Sequence, residues 1–187
     1  MTAMKIRVPA IPEEGLFLEL DQATKWFQAL LRERFSEVHP GGAPASGRIE
    51  LQKTLQNVAL SGDLRIALHP SCASCGKVFD SQLEVPLLRN LAPYFSGPRE
   101  GLLSEEEEIE LSAEDLEFSF YHNDEIDLGE IVAEEITLAL PIRFLCKEDC
   151  RGLCPRCGVD RNEQACTCAE EVEGSPFAVL KGFKVKS

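Results

Sequence analysis

The chain has 187 residues, enough for one domain with a sizeable core or for a domain with a small appendage. Hydrophobic residues make up 44% and mean hydropathy is −0.12, an ordinary globular balance. Nineteen Lys and Arg against 32 Asp and Glu leave a net charge of −13. That disfavours generic nucleic-acid binding and suits a basic partner or simple solubility.

The N-terminus, MTAMKIRVPAIPEEG, carries charges and prolines where a secretory signal has an apolar segment. The longest apolar runs, such as ITLALPI, are too short to span a bilayer. The expected setting is cytoplasmic and free of membrane, a reducing space that disfavours disulfides among eight cysteines.

In chain order, MKIRVPAI and GLFLELD read as two short strands, with Pro9, Pro12 and Gly15 marking the turn between them. Asp21 is the expected N-cap of a helix, ATKWFQALLRERF. Trp26, Phe27, Leu30, Leu31 and Phe35 fall on one face of that helix as a core-facing stripe. HPGGAPASG, residues 39–47, reads as a flexible link. RIELQKTLQNVALSGDLRIALHPSC alternates as strands do, with a bend or bulge expected at Gly62. CASCGKVFDSQLEVPLLRNLAPYF reads as a two-cysteine turn followed by another strand.

From Glu100 to Glu135 fifteen residues are acidic and none is Lys or Arg. This stretch reads as a mobile acidic loop ending in a strand at LEFSFY, then a helix over NDEIDLGEIVAEEITLAL. Asp127 is its expected N-cap, and Leu128, Ile131, Val132 and Leu138 its apolar face. Pro141 stops it.

The fold class expected is α+β: an antiparallel β-sheet meander or partly open barrel with a few helices and a zinc-knuckle-like loop near the C-terminus. The main domain is expected over residues 1–143, with flexible links near 39–47 and 97–112. Residues 144–187 are a cysteine-rich, metal-binding segment and tail, packed on the same domain.

The chemistry lies in the cysteines. Cys72 and Cys75 are spaced C-x2-C; Cys146, Cys150, Cys154, Cys157, Cys166 and Cys168 crowd into 23 positions. CPRCG, Cys154 to Gly158, has the form of a zinc knuckle: two thiolates aimed at one centre and a glycine that turns the chain. A structural zinc takes four ligands, and His39, His69 and His122 are all distant in sequence. The expectation is therefore an all-thiolate Zn(2+) site. Six clustered cysteines exceed one site by two. Either Cys154 and Cys157 join two of the other four, or Cys72 and Cys75 complete eight ligands for two sites. Such a site in a short loop is worth about 10–16 kcal/mol, comparable to the roughly 5–15 kcal/mol stability of a whole domain.

Disulfides, a redox C-x-x-C and a nucleophilic cysteine are weaker readings. Redox motifs usually open a helix, whereas CGKVFDSQLEV continues as a strand; His69 beside Pro70 reads as a turn residue rather than a base. No carboxylate–histidine pair, phosphate loop or nucleophile motif stands out, so the chain is not expected to be an enzyme or to take a small-molecule substrate.

DEIDLGEIVAEEITLALPIRFLCKEDCRGLCPRCGVDRNEQACTC resembles the YceD-like family, the large ribosomal RNA subunit accumulation proteins. The anchors of that pattern are Asp124, Ile126, Asp127, Leu128, Leu138, Leu140, Pro141, the six clustered cysteines, Gly152, Leu153, Gly158 and Asn162. Pro176, Phe177, Leu180 and Lys181 match its C-terminal segment. SGDLRIALHPSCASCGKVFDSQLEV resembles its earlier strand, C-x2-C, strand segment. Some members place histidines near the positions of Cys166 and Cys168, which favours that end as part of a metal site. Members usually carry a basic residue between the first two cysteines, where this chain has Ala73 and Ser74. The resemblance implies a role in large-subunit ribosomal RNA accumulation, through that RNA or a pre-ribosomal particle. Arg143, Lys147, Arg151, Arg156, Arg161 and Lys181 are the candidate contacts with RNA or a partner. The alternative is an acidic escort for a basic ribosomal protein, with the 100–135 segment imitating a nucleic-acid backbone.

Overall fold

The computed structural model describes residues 4–94 and 118–168. Its centre is an open five-stranded sheet in the order β2–β3–β4–β5–β6: β2 (Leu16–Leu20), β3 (Ala45–Thr54), β4 (Asn57–Leu68), β5 (Ser81–Pro93) and β6 (Phe118–Tyr121). The first four strands form an antiparallel meander, and β6 adds to β5 in parallel. A separate ribbon pairs β1 (Lys5–Arg7) with β7 (Glu125–Asp127). A single 3-10 turn over Val8–Ala10, which ends the expected MKIRVPAI strand after Arg7, and two helices, α1 (Lys25–Arg34) and α2 (Leu128–Ala139), complete the described elements. This is the α+β class expected, and the sheet does not close into a barrel.

Alternation along the strands sets one face of the sheet against the helices. In β4, Val58, Leu60, Leu64, Ile66 and Leu68 are buried, and in β5, Leu83, Val85, Leu87 and Leu91. Onto them pack Phe27 and Leu31 of α1 and Leu128, Val132, Ala133 and Ile136 of α2. Trp26 and Leu30 are partly buried against the same core. Leu138 departs from the expected apolar face: it is 74% exposed, and Ala133 and Ile136 take that role instead. From Leu128 the 100° step per residue carries positions 132, 133 and 136 inward and rotates 138 to solvent.

Asp127 caps α2 as expected, its side chain accepting from the Glu130 N–H at 3.1 Å. Asp21 acts one turn earlier than expected. It accepts from the N–H groups of Ala23 (2.9 Å) and Thr24 (3.0 Å), organising the turn that leads into α1, while Thr24 holds the N-cap position.

Gly62 makes no bulge. The β3–β4 register runs without a break from Ala45↔Ile66 to Thr54↔Asn57, and β4–β5 likewise from Val58↔Leu91 to Leu68↔Ser81. The glycine answers a close approach: a Cβ there would stand 2.1 Å from the Arg48 carbonyl oxygen.

Within residues 39–47, read above as a link, several groups have defined partners. His39 is 2% exposed with Nδ1 2.7 Å from the Ala67 carbonyl. Pro44 accepts from the Ala67 N–H, and Ala45 already opens β3. The expected link near 97–112, the acidic stretch over 100–117, and Lys181 with the C-terminal tail lie outside the described residues. Among the described residues no helix is long and apolar enough to cross a membrane.

Candidate metal centres

The eight cysteines fall into two groups of four. Cys72, Cys75, Cys146 and Cys150 form one, and Cys154, Cys157, Cys166 and Cys168 the other; within each, the sulfurs all lie within 4.8 Å of one another. Nearest pairs are Cys72–Cys150 and Cys75–Cys146 at 3.7 Å, Cys157–Cys166 at 3.5 Å and Cys154–Cys166 at 3.3 Å. A disulfide brings sulfurs to about 2.05 Å. Four thiolates around one ion with metal–sulfur bonds of about 2.3 Å stand about 3.8 Å apart. All eight cysteines are free, and the spacing is that of a tetrahedral metal cage.

Two turns of one design deliver the leading pairs. In the first, Gly76 N–H bonds the Cys72 carbonyl (2.8 Å), Cys72 N–H bonds the Lys77 carbonyl (2.9 Å), and Ser71 bridges Val78. In the second, Gly158 N–H bonds the Cys154 carbonyl (2.9 Å), Cys154 N–H bonds the Val159 carbonyl (2.8 Å), and Leu153 bridges Asp160. Gly76 and Gly158 have φ of 71° and 72°, the left-handed conformation that closes each turn. Sequence spacing had concealed this likeness, because only C-x2-C-G is common to the two segments.

The second pairs arrive differently. Pro141 ends α2, with Leu140 as C-cap, and the chain then lays Cys146 and Cys150 against the first turn. A hydrogen bond from Ala73 N–H to the Phe144 carbonyl (2.8 Å) fixes this approach. Cys166 and Cys168 close the second group from the loop that follows its own turn.

The electrostatics suit cation binding. The first cysteine of each turn has a thiol pKa lowered to about 6. For Cys72 the main cause is the backbone N–H of Cys146, opposed by burial and helped by those of Cys75 and Ser74. For Cys154 it is the N–H groups of Cys157 and Arg156. Burial, then the neighbouring Cys150 and Cys75 sulfurs, pushes Cys146 up to about 12. The Cys166 and Cys157 sulfurs do the same to Cys168, also to about 12. Four clustered sulfurs thus resist full ionisation unless a cation offsets their charge.

The histidines stand apart. His69 Nδ1 lies 2.8 Å from Asp80 Oδ1, His39 is in the core, and the His122 ring packs on Tyr94 at 4.7 Å. Of the candidate contact residues, Arg143, Lys147, Arg151 and Arg156 are exposed, while Arg161 is partly buried. Lys147 pairs with Asp149 at 3.9 Å. The Arg161 guanidinium turns inward to donate to the Arg151 carbonyl at 2.8 and 3.0 Å. Asn162, noted in the sequence only as a family anchor, donates Nδ2 to Cys150 Sγ at 3.4 Å. Nothing in its neighbourhood in sequence signals this contact.

A sheet-and-helix scaffold with two tetracysteine groups describes the class of protein. The particular family follows from comparison: residues 60–184 match the family of the large ribosomal RNA subunit accumulation protein YceD, and the chain belongs to it. A chloroplastic YCED homolog 1 of Arabidopsis thaliana, named as a large ribosomal RNA subunit accumulation protein, is 21% identical over 165 residues. That alignment covers 78% of this chain and 50% of the relative. Uncharacterised proteins of Mycobacterium bovis and Mycobacterium tuberculosis are 26% identical over 111 residues, 59% of this chain and 48% of theirs. The chain therefore spans about half the length of these curated relatives. No solved structure matches it.

Proposed function

We propose that this chain is a non-enzymatic factor that promotes accumulation of large-subunit ribosomal RNA, presenting its contacts on a scaffold held by two structural zinc ions. The family and the name of the plant relative support the role in the RNA's accumulation. One observation carries the zinc reading: all eight cysteines lie within the family span and sort into two sets of four sulfurs at metal-cage spacing. Four thiolates complete a tetrahedral ion and leave no position for a substrate, so the metal supplies shape.

Arg143, Lys147, Arg151, Arg156, Arg161 and, in the tail, Lys181 are the proposed contacts with ribosomal RNA or a pre-ribosomal particle. A second reading, escort of a basic ribosomal protein, draws support from charge. The two cysteine segments hold six cations, counting Lys77, against five carboxylates: Asp80, Glu148, Asp149, Asp160 and Glu163. Each zinc with four thiolates adds a charge of about −2, which makes the loaded module anionic overall. A purely electrostatic grip on phosphates is disfavoured by that balance.

The test is to purify the tagged protein from its own cells with and without ribonuclease and identify what stays bound. Large-subunit RNA or proteins lost on ribonuclease treatment support the RNA reading; a basic ribosomal protein that survives it supports the escort. Absence of any large-subunit component overturns both. Elemental analysis of the same sample should give two zinc per chain, and a value near zero would reject the metal.

A further inference from the structure

The two tetracysteine groups are built into each other. Ser74, between Cys72 and Cys75, accepts from the N–H of Leu153, the residue before Cys154, at 3.0 Å. Gly152 packs so closely beneath it that a Cβ would stand 2.7 Å from the Ser74 carbonyl oxygen. Lys77 of the first turn reaches Glu163 of the second loop at 2.7 Å.

Asn162 makes the most direct link. It sits in the loop between Cys157 and Cys166, yet its amide serves the other group. Nδ2 donates to Cys150 Sγ at 3.4 Å, and Oδ1 accepts from the Arg151 N–H at 3.0 Å. Asp160 Oδ1 holds the residue in place by accepting from its backbone N–H (2.9 Å) and from Nδ2 (2.7 Å). The amide orientation is the one in which each of these contacts pairs a donor with an acceptor.

We propose that the two centres load metal cooperatively, with Asn162 as the positioning residue that couples them. The proposal rests on the reading of both groups as zinc sites. The loop from Gly158 to Ala165 is anchored at both ends by ligands of the second centre, Cys157 and Cys166. An ion there fixes the loop and so presents Asn162 to Cys150. The hydrogen bond then orients the Cys150 sulfur and stabilises its charge in the first centre. By thermodynamic reciprocity, an ion in the first centre favours the ordered loop of the second. Partners of ligating groups typically change metal affinity about 10–100-fold, so the coupling should be near tenfold.

The experiment titrates the reduced, metal-free full chain with zinc in the presence of a competing chelator. Native mass spectrometry counts chains holding none, one or two ions. Four proteins are compared: the parent chain, the double variant Cys166→Ser/Cys168→Ser, Asn162→Ala, and Gln164→Ala as a control on the same loop. Disabling the second centre should weaken zinc binding at the first about tenfold. Asn162→Ala, which keeps all eight cysteines, should weaken it by a similar factor, and Gln164→Ala should match the parent. A first centre that binds with parental affinity in both the double variant and Asn162→Ala overturns the coupling. A parent chain that takes up no zinc overturns the metal reading instead, before any variant is compared.

Discussion

Gly47 and Gly62 lie on facing strands where no side chain fits. A Cβ on Gly47 would stand 2.5 Å from both the Asp63 carbonyl oxygen and Leu64 Cδ2, and one on Gly62 2.1 Å from the Arg48 oxygen. Backbone cannot retreat there without breaking ladder pairs on both sides of β4. Gly62→Ala is therefore expected to cost at least about 2 kcal/mol, read as a lower midpoint in chemical denaturation. Tyr121 is a second such residue: 5% exposed, it donates its hydroxyl to the Gln56 carbonyl at 2.6 Å, tying β6 to the β3–β4 turn. Tyr121→Phe should lose about 1 kcal/mol. Burial, and then the charge of Asp124, raises the phenol pKa. A raised folded-state value means that this stability is complete below the unfolded pKa of about 10 and falls as pH climbs past it. A denaturation series from pH 8 to 11 should show the decline in the parent chain and a shallower one in Tyr121→Phe.

Among the elements, α2 links sheet to cysteines. Its cap at Asp127 also closes β7, and its buried face covers β5. Arg89 of β5 reaches Glu134 and Glu135, and Arg34 of α1 reaches Glu130, so the outer edge of the helix is held by ion pairs. These pairs are partly exposed and contribute modestly. The cap matters more: Asp127→Ala should destabilise by about 1 kcal/mol. Hydrogen exchange should quicken first at the Glu130 amide, the bond that is lost. Equal acceleration along the whole helix would instead point to a packing defect.

For the molecule as a whole, two modes of cohesion divide the chain. The apolar core runs through both helices, both strand pairings and Val38, but takes no side chain from 69–80 and only Phe144 from the cysteine loop. Cys72, Cys75 and Cys154 are buried outside it, among their own sulfurs. If the two cysteine groups hold zinc as proposed, a strong chelator should accordingly release the module and spare the sheet. Amides of Cys72, Gly76, Cys154 and Gly158 should lose exchange protection while those of β4 and β5 keep theirs. Collapse of both together would mean that the metal sustains the whole fold.

Alternation and helical periodicity are local signals, so the meander, both helices and the Asp127 cap could be read from residues 16–139 directly. The C-P-x-C-G turn announced thiolate chemistry for the same reason: its geometry is encoded within five residues. The partition of the cysteines could not be read this way. Counting allowed several sets of four, because nothing local distinguishes Cys146 and Cys150 from Cys166 and Cys168 as partners for Cys154 and Cys157. That choice was made by the chain leaving α2, whose Phe144 carbonyl bonds the Ala73 N–H. It sets Cys146 and Cys150 against the first turn, respectively 71 residues from Cys75 and 78 from Cys72 in the chain. The parallel pairing of β6, the burial of His39 and the reach of Asn162 to Cys150 are of the same kind. Sequence by itself determined the main strands, both helices and the cysteine turns, since those depend on near neighbours. It did not determine the start of β3 at Ala45 or the unbroken ladder through Gly62, which distant pairing sets. Tertiary structure alone decided which thiols share a centre, since that depends on where packing of the core brings distant segments together.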